Sequence, residues 1–269
     1  MSHLFQVGVG SGGMVVLDLV ARDERVKTIT LVDPDEYKPH NIARHFFSTT
    51  DVGRKKVDLA ARWVRDFRPD VTIHKLAVDL TDSTQQAQLE EIVRSADYGI
   101  CAVDVEPAKF HFDMLMRKFN KPWALGEVLS GGIGGWVHRF APGQACYGCV
   151  ASHLQRAIVT GTTPQPDYSN PQGMAETRIP ATKAAISAIA SLHALAVLDG
   201  LDGTDPGFTS MLLPLRKVEG IFDAAYKPYR FKIARNPECL ICGASLSAVP
   251  AGEDLDVALH QALARLGHE

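Results

Sequence analysis

A glycine-rich loop near the N-terminus is the feature that most narrows the folds open to this chain. It reads Gly8-Val9-Gly10-Ser11-Gly12-Gly13 and lies between an apolar run and a helical pattern, and Asp33 follows Gly13 by twenty residues at the end of the next β-rich run. Glycines let the backbone approach phosphates, a helix start offers unpaired N–H groups, and a strand-end carboxylate can accept ribose hydroxyls. The combination predicts a nucleotide site and leaves ATP and NAD equally open. The alternative is a structural tight turn in which Asp33 only caps the turn or helix.

The first half of the chain alternates strand-like and helical segments. The strand-like segments are residues 3–9, 26–32, 71–78, 98–103 and 123–128, and the helical segments are 14–21, 55–67, 83–95 and 109–119. Such alternation predicts an α/β fold of Rossmann type, with a mostly parallel sheet and helices on both faces. After Leu129 the glycine-rich, alternating segment 130–140 predicts antiparallel strands, so we expect a mixed sheet with a smaller antiparallel lobe.

The charge and composition exclude several classes of partner. The net charge is −3 and the pI about 6.4, so no positive field attracts nucleic acid or an anionic membrane.

The apolar segment 181–198 is interrupted by polar residues and is predicted to be a buried helix, which is followed by strands at 210–217 and 229–234. The N-terminus lacks the pattern of a signal peptide, so we expect a cytoplasmic protein. Segment 159–178, rich in Pro and Gly, is predicted to be a flap over a site or partner.

Polar residues after the second predicted strand suit a chain of phosphates. They include Asp35, Asn41, Arg44 and Lys56. An arginine and a lysine beyond the carboxyl end of a sheet suit a triphosphate better than a nicotinamide, and the equally open alternative is that Arg44 and Lys56 are solvated surface charges. Asp104 follows another apolar strand, where it could hold Mg²⁺ or cap the helix that begins near residue 106.

Four of the five cysteines form two C-x-x-C pairs. The pairs are Cys146 with Cys149 and Cys239 with Cys242, whereas Cys101 lies in an apolar run and is predicted to be a small core residue. Two such pairs can occupy the four corners of a tetrahedral zinc site, which leaves no position for a catalytic water. The alternatives are redox motifs or plain buried thiols. We predict a structural Zn²⁺ site.

The order of these motifs resembles the ThiF/MoeB family of ubiquitin-activating-like adenylyltransferases, over about residues 5–243. The residues that carry the resemblance are the glycine loop, Asp33-x-Asp35, Asn41-x-x-Arg44, Lys56, Asp104 and the two cysteine pairs. The resemblance implies that Gly8, Gly10, Ser11, Gly12, Gly13, Asp33 and Asp35 bind ATP, and that Asn41, Arg44 and Lys56 handle the phosphates and the incoming carboxylate. It also implies that Asp104 positions Mg²⁺ and that the chain forms a homodimer. The usual substrate is the C-terminal Gly-Gly carboxylate of a ubiquitin-like or sulfur-carrier protein, and the segment from 126 to 137 resembles the strand region beside its tail.

We therefore predict an ATP-dependent adenylyltransferase with Arg44, Lys56 and Asp104 as catalytic residues. Its Rossmann-type ATP-binding half covers residues 1–129, a partner-binding and zinc lobe of the same compact unit covers 130–243, and a tail with a helix at 255–266 covers 244–269. The rival hypotheses are an NAD-dependent oxidoreductase, a non-catalytic nucleotide-binding scaffold, and a variant that adenylates another carboxylate.

Two features depart from the family pattern. Members commonly carry an N-terminal helix whose arginine reaches ATP across a dimer, whereas here the first strand is predicted to begin near residue 3. Many members also place a nucleophilic cysteine in the loop before the long helix, where this chain has Gly173-Met174-Ala175-Glu176. Because methionine cannot form a thioester, we expect adenylation without a thioester from that loop.

Overall fold

The computed structural model describes residues 2–154 and 181–243. The strands in these ranges are β1 Ser2–Val7, β2 Val26–Val32, β3 Thr72–Leu76, β4 Tyr98–Cys101, β5 Trp123–Val128, β6 Gly134–Phe140, β7 Ser210–Pro214 and β8 Tyr229–Phe231. The α-helices are α1 Ser11–Val20, α2 Lys56–Phe67, α3 Gln86–Ser95, α4 Glu106–Lys118, α5 Tyr147–His153 and α6 Lys183–Asp202. The expected flap at 159–178, the Met174 loop and the helix at 255–266 lie outside the described residues.

All eight strands belong to one sheet with the order β3-β2-β1-β4-β5-β6-β7-β8. Strands β1 to β5 pair in parallel, and β6, β7 and β8 are added by antiparallel pairing. The predicted mixed, mostly parallel sheet is confirmed, and its antiparallel strands continue the parallel sheet. These directions define an edge of the sheet that we call the carboxyl edge. The strands that end there are β1, β2, β4, β5 and β7, and the strands that begin there are β6 and β8.

Helices cover both faces of the sheet, as predicted. One apolar cluster joins α1, α2 and α6 to the sheet and includes Leu17, Val64 and Ile189. A second cluster on the other face joins α3, α4 and α5 and includes Leu89 and Phe112. A parallel strand with helices on both sides has no solvent-facing side, which explains why the central strands are apolar runs and not alternating patterns.

Helix α6 lies where the apolar segment 181–198 predicted a helix. The Thr182 hydroxyl accepts a hydrogen bond from the Ala185 N–H at 3.2 Å, and Gly203 ends the helix with a φ of 71°. By length and mean hydropathy α6 could also cross a membrane, but the core helix of a soluble protein passes the same test, so this is weak evidence. In the structure α6 packs against α1, β5 and β6.

Several details of the secondary structure differ from the sequence prediction. Strands β7 and β8 each end three residues earlier than predicted. Helix α5 was not predicted, because a seven-residue helix that contains a C-x-x-C pair shows no apolar periodicity. Strand β4 ends at Cys101 and not at residue 103, so Asp104 lies three residues beyond the strand. Just after the strand, the Ala102 carbonyl lies close to Gly8, where a Cβ atom would lie only 2.5 Å from the Ala102 oxygen.

Candidate nucleotide and metal sites

The glycine loop connects β1 to α1 at the carboxyl edge. Gly8 has a φ of +90°, a conformation that favours glycine, and a Cβ on Gly13 would lie 2.2 Å from the Gly8 carbonyl oxygen. Gly10 caps α1 with a φ of −69°, and no described atom lies within 4 Å of the position its Cβ would take. Gly8 and Gly13 therefore serve the close packing of the loop, whereas Gly10, with Ser11 and Gly12 after it in the first turn, leaves the helix start open to a ligand.

A buried glutamine that the sequence analysis missed holds this loop in shape. The Gln6 amide nitrogen donates hydrogen bonds to the carbonyl oxygens of Gly8 at 3.0 Å and Gly13 at 2.8 Å. Gln6 has no solvent exposure, so both bonds lie in the interior. In a strand of apolar residues a single buried amide was the available signal, because a buried polar side chain needs partners.

Asp33 lies directly beside the glycine loop. One carboxylate oxygen accepts the Val9 N–H at 2.8 Å and the other accepts the Asp35 N–H at 2.9 Å. Burial raises the pKa of Asp33, and the positive charge of Lys56 offsets part of that rise. The turn role considered for Asp33 is therefore present in the structure. It leaves further lone pairs on the carboxylate, and contact with a ribose stays a prediction.

Lys56 begins α2 and points back toward the loop that follows β2. Its ammonium lies 2.5 Å from the Asp35 carboxylate, and its side chain is 9% exposed, which contradicts the alternative of a solvated surface charge. Asn41 ends a short 3₁₀ helix, and its backbone carbonyl accepts the Arg44 N–H at 3.0 Å. Its side-chain oxygen accepts the N–H of Lys38 at 2.9 Å, so Asn41 shapes the segment that carries Arg44.

Two further residues, His45 and Lys183, lie near the glycine loop, and the sequence analysis did not name them as site residues. His45 is buried, and burial, Lys56, Lys183 and Arg44 together lower its pKa to about 4, against a small rise from the Val9 backbone. Lys183, the first residue of α6, donates a hydrogen bond to the His45 carbonyl oxygen at 2.9 Å. Cations from α2, from α6 and from the segment of His45 itself thus act electrostatically on one imidazole beside the glycine loop.

Asp104 lies at the same carboxyl edge, beyond β4. It is exposed, and the N-cap residue of α4 is Val105 and not Asp104. The structure therefore brings the glycine loop, Asp33, Asp35, Lys56 and the Arg44 segment together. It places Asp104 on the neighbouring strand end, where a carboxylate suits a hard cation.

A buried ionic cluster follows Asp104 along the carboxyl edge. The Lys109 ammonium lies 2.6 Å from both the Glu106 and the Glu127 carboxylates, and the second Glu127 oxygen lies 3.1 Å from His138 Nε2. Burial lowers the pKa of Lys109, but the two carboxylates outweigh it and leave the pKa raised. Lys109 is therefore a paired cation that joins α4 to β5, and sequence spacing did not reveal it.

The four paired cysteines form one cluster. Their sulfur atoms all lie within 4.8 Å of one another, with distances of 3.7 Å for Cys146 to Cys149, 3.5 Å for Cys146 to Cys239 and 3.4 Å for Cys149 to Cys242. A tetrahedral centre with Zn–S bonds of about 2.3 Å requires sulfurs about 3.8 Å apart. The residues present therefore fit a four-thiolate metal site, as predicted.

The position of the cluster separates it from the glycine loop. The cysteine pairs follow β6 and β8, which both end at the edge opposite the carboxyl edge. A Cβ on Gly148 would lie 2.7 Å from Ile241, so glycine at that position lets the two pairs approach each other. A metal here would connect two chain segments away from the nucleotide region. Cys101 is a separate thiol, fully buried in β4 as predicted.

Comparisons with known proteins agree with this geometry. The ThiF family model matches residues 1–240. SAMP-activating enzyme E1 from Haloferax volcanii is 26% identical over 256 residues, which cover 95% of this chain and 84% of that protein. Ubiquitin-like modifier-activating enzyme 5 from Drosophila grimshawi is 30% identical over 152 residues, which cover 53% of this chain and only 38% of that relative's length.

Solved structures show the same fold. The crystal structure of E. coli MccB with MccA-N7isoASN superposes on this chain with a TM-score of 0.69, and the structure of MccB with ATP superposes with a TM-score of 0.66. In both comparisons the sequence identity is 17%, and the superposition covers 90% of this chain and 67% of the MccB chain. At this identity the superposition supports the fold alone. The family match, by contrast, covers the glycine loop, the polar residues of the carboxyl edge and the first cysteine of the second pair. The chain belongs to the ThiF family.

Proposed function

We propose that this protein is an ATP-dependent adenylyltransferase that activates the C-terminal carboxylate of a ubiquitin-like or sulfur-carrier protein as an acyl-adenylate. The observation that carries the proposal is the convergence of Lys56 and the Arg44 segment on the glycine loop, next to Asp33. Family membership supports it, as do the names of the relatives, among them an enzyme that activates SAMP and others that activate ubiquitin-like modifiers.

The proposed reaction follows from the chemistry of a carboxylate, which is a poor electrophile. A carboxylate oxygen attacks the α-phosphorus of ATP, a new O–P bond forms, and the bond to the bridging oxygen of the β-phosphate breaks to release pyrophosphate. The product is a mixed anhydride whose leaving group is AMP. Negative charge builds on the phosphate oxygens during this displacement, so cations fixed nearby lower the barrier.

The residues of this chain have distinct parts in that step. The open start of α1 at Gly10 offers backbone N–H groups to phosphates. Asp35 orients the ammonium of Lys56, which has three N–H donors and can keep its ion pair while it contacts a phosphate oxygen. Arg44 offers a guanidinium that suits two phosphate oxygens at once. The reaction needs no general base, because the attacking carboxylate is already ionised at neutral pH.

Two metal ions belong to the proposal. Asp104 would hold Mg²⁺, which neutralises phosphate charge when it is bound. The four paired cysteines would hold Zn²⁺ as a closed structural site, which contributes to folding. The loop with Met174 would supply no thioester, so the adenylate itself would be the activated product.

Pyrophosphate–ATP exchange tests the proposed function. We expect exchange that depends on a protein partner ending in Gly-Gly, and we expect Lys56→Ala to reduce it about 100- to 1000-fold, the usual effect of removing a group that stabilises transition-state charge. Lys55→Ala is the matched control, because Lys55 lies next in the chain but its side chain is 41% exposed and pairs with Glu36. Lys55→Ala should retain the exchange.

The same experiment separates the rival hypotheses. An NAD-dependent oxidoreductase would show no exchange and would turn over a nicotinamide cofactor that Lys56→Ala leaves intact. A scaffold would bind ATP without exchange for any carboxylate. Either result would refute the adenylyltransferase. A protein that exchanges with a small carboxylate but not with a Gly-Gly tail would keep the chemistry and change the substrate.

We also propose that the protein is a homodimer in the cytoplasm. The dimer is proposed from the family resemblance, and the location from the composition. Sedimentation equilibrium should give twice the mass of 29.3 kDa. Cell fractionation should recover the protein with soluble cytoplasmic markers.

A further inference from the structure

A buried histidine beside the glycine loop makes no hydrogen bond of ordinary geometry through its ring within residues 2–154 and 181–243. His45 is 3% exposed, and neither of its ring nitrogens is paired in these ranges. A buried polar group without a partner costs about 1–3 kcal/mol, so native proteins pair nearly all of them. An unpaired imidazole at the edge of a binding region is therefore expected to find its partner in a ligand.

Aromatic side chains hold this imidazole in one orientation. Its ring stacks on Phe47 with centroids 4.9 Å apart and meets the edge of Tyr37 at 5.3 Å. The Tyr37 hydroxyl donates to the Phe47 carbonyl oxygen at 2.8 Å, which ties the two neighbours together. The stacking on Phe47 uses a face of the imidazole, and the Tyr37 hydroxyl is engaged by the Phe47 carbonyl and not by the ring nitrogens. The nearest polar group is the backbone of Val9 in the glycine loop, whose hydrogen-bonding contact raises the pKa of the ring but falls outside ordinary hydrogen-bond geometry.

The charges around His45 indicate the sign of that partner. Lys56 from α2, Lys183 from α6 and Arg44 from the same segment all act on the ring, while the nearby acids Asp33 and Asp35 are engaged by the Val9 N–H and by Lys56. Cations drawn from three parts of the chain toward one buried point favour an anion there. The open start of α1 favours an anion on the same side.

We infer that His45 and Lys183 contact the phosphate chain of the nucleotide held by the glycine loop. The neutral imidazole donates its one N–H to a phosphate oxygen. Lys183 is held in place by its bond to the His45 carbonyl oxygen and by the Phe46 ring, 4.9 Å away, and adds a third cation to those of Arg44 and Lys56. The inference rests on the proposed nucleotide site and adds two binding residues to it.

Histidine NMR of the wild-type protein tests the inference directly. His193 is an internal control, because it is also buried with a pKa of about 4, and its Nε2 has no partner in the described part of the chain. It lies ten residues after Lys183 in α6, about 15 Å along the helix. We expect Mg²⁺-ATP to move the ring signals of His45 and to raise its pKa by at least about one unit, because phosphate charge favours the protonated ring. The signals of His193 should stay in place.

The outcomes distinguish this inference from the proposed function. If ATP binds and the His45 signals move no more than those of His193, the inference is wrong and the nucleotide site stands. If the protein binds no ATP, the inference and the proposed function both fail. Inorganic triphosphate should reproduce the shift of His45, and a shift with adenosine in its place would contradict a phosphate contact.

Two substitutions give an independent measure of the same contacts. His45→Phe keeps a ring against Phe47 and removes both nitrogens, and it should weaken ATP binding about 10- to 100-fold, the effect of losing a hydrogen bond to a charged group. Lys183→Met should weaken it about 5-fold. Lys27→Met, at the start of β2 and therefore at the opposite edge, is the control and should bind as the wild type does. Unchanged affinity in folded His45→Phe and Lys183→Met would overturn the inference.

Discussion

Replacing Gly10 with alanine should separate nucleotide binding from folding. Gly10 has a φ of −69° and a ψ of −165°, an extended conformation that alanine adopts, and no described atom lies within 4 Å of the new Cβ. Alanine also restricts the unfolded chain more than glycine does. We therefore expect Gly10→Ala to leave the free energy of unfolding unchanged or to raise it by up to about 1 kcal/mol.

The effect on the ligand should be the opposite. The new methyl group would stand at the open start of α1, where a phosphate must approach the backbone. Losing one hydrogen bond between a backbone N–H and a charged phosphate costs about 1.5–3 kcal/mol, which corresponds to about 10- to 100-fold weaker ATP binding. Stability and affinity should therefore change in different directions in one variant.

Two neighbouring glycines supply the controls. A Cβ on Gly13 would lie 2.2 Å from the Gly8 carbonyl oxygen, so Gly13→Ala should destabilise the fold by about 1–3 kcal/mol. A Cβ on Gly12 would meet Ile186 at 3.6 Å, an ordinary contact, so Gly12→Ala should fold normally. Urea unfolding measures the stabilities and isothermal titration calorimetry measures ATP affinity. Gly10→Ala with wild-type affinity would refute the role assigned to the loop.

Three further predictions concern parts of the structure away from the open face of the loop. Cys242→Ser should lower the zinc content, measured by elemental analysis, from one ion per chain to below about half. It should also lower the melting temperature, because three thiolates hold the metal less tightly than four. A zinc content equal to that of the wild type would contradict the site. Gln6→Leu should weaken ATP binding and leave the Gly8 and Gly13 carbonyls without their side-chain donor, at a cost of about 1–3 kcal/mol in urea unfolding. His193→Leu should make the free energy of unfolding less sensitive to acid. Burial lowers the pKa of His193 from 6.5 to about 4, so between these values the unfolded chain binds more protons than the folded chain. From pH 7 to pH 5 the wild type should therefore lose about 2 kcal/mol of unfolding free energy that the variant keeps. Equal losses in both proteins would show that the histidine is not buried in its neutral form.

Much of the fold could be predicted from local pattern. The strands β2 and β5 begin and end at the residues that their β-rich patterns predicted, because β-branched and aromatic residues favour strands over helices. The glycine loop and the cysteine pairs were recognisable for a similar reason, since turn geometry and metal ligation each require particular residues at short spacing. Helix α5 was missed because its seven residues are too few to show a period.

The candidate site was predicted only in part. Lys56 could be recognised by its place at a helix start soon after β2, but its burial and its ion pair with Asp35 were visible only in the structure. His45 had no distinguishing feature in the sequence, and a lone histidine is more often polar packing. Its significance comes from a tertiary fact, that no described residue satisfies its ring nitrogens.

The amino-acid sequence by itself determined the α/β class, the glycine loop and the two C-x-x-C pairs, because each depends on periodicity or on residues close together in the chain. Only the tertiary structure joined the two cysteine pairs across 93 positions and decided which charges meet at the loop. Lys183 reaches the carbonyl of His45 across 138 positions of sequence, and it does so because α6 packs beside α1 on the same face of the sheet. No local pattern encodes that distance, since the contact is set by the packing of apolar helix faces that are far apart in the chain.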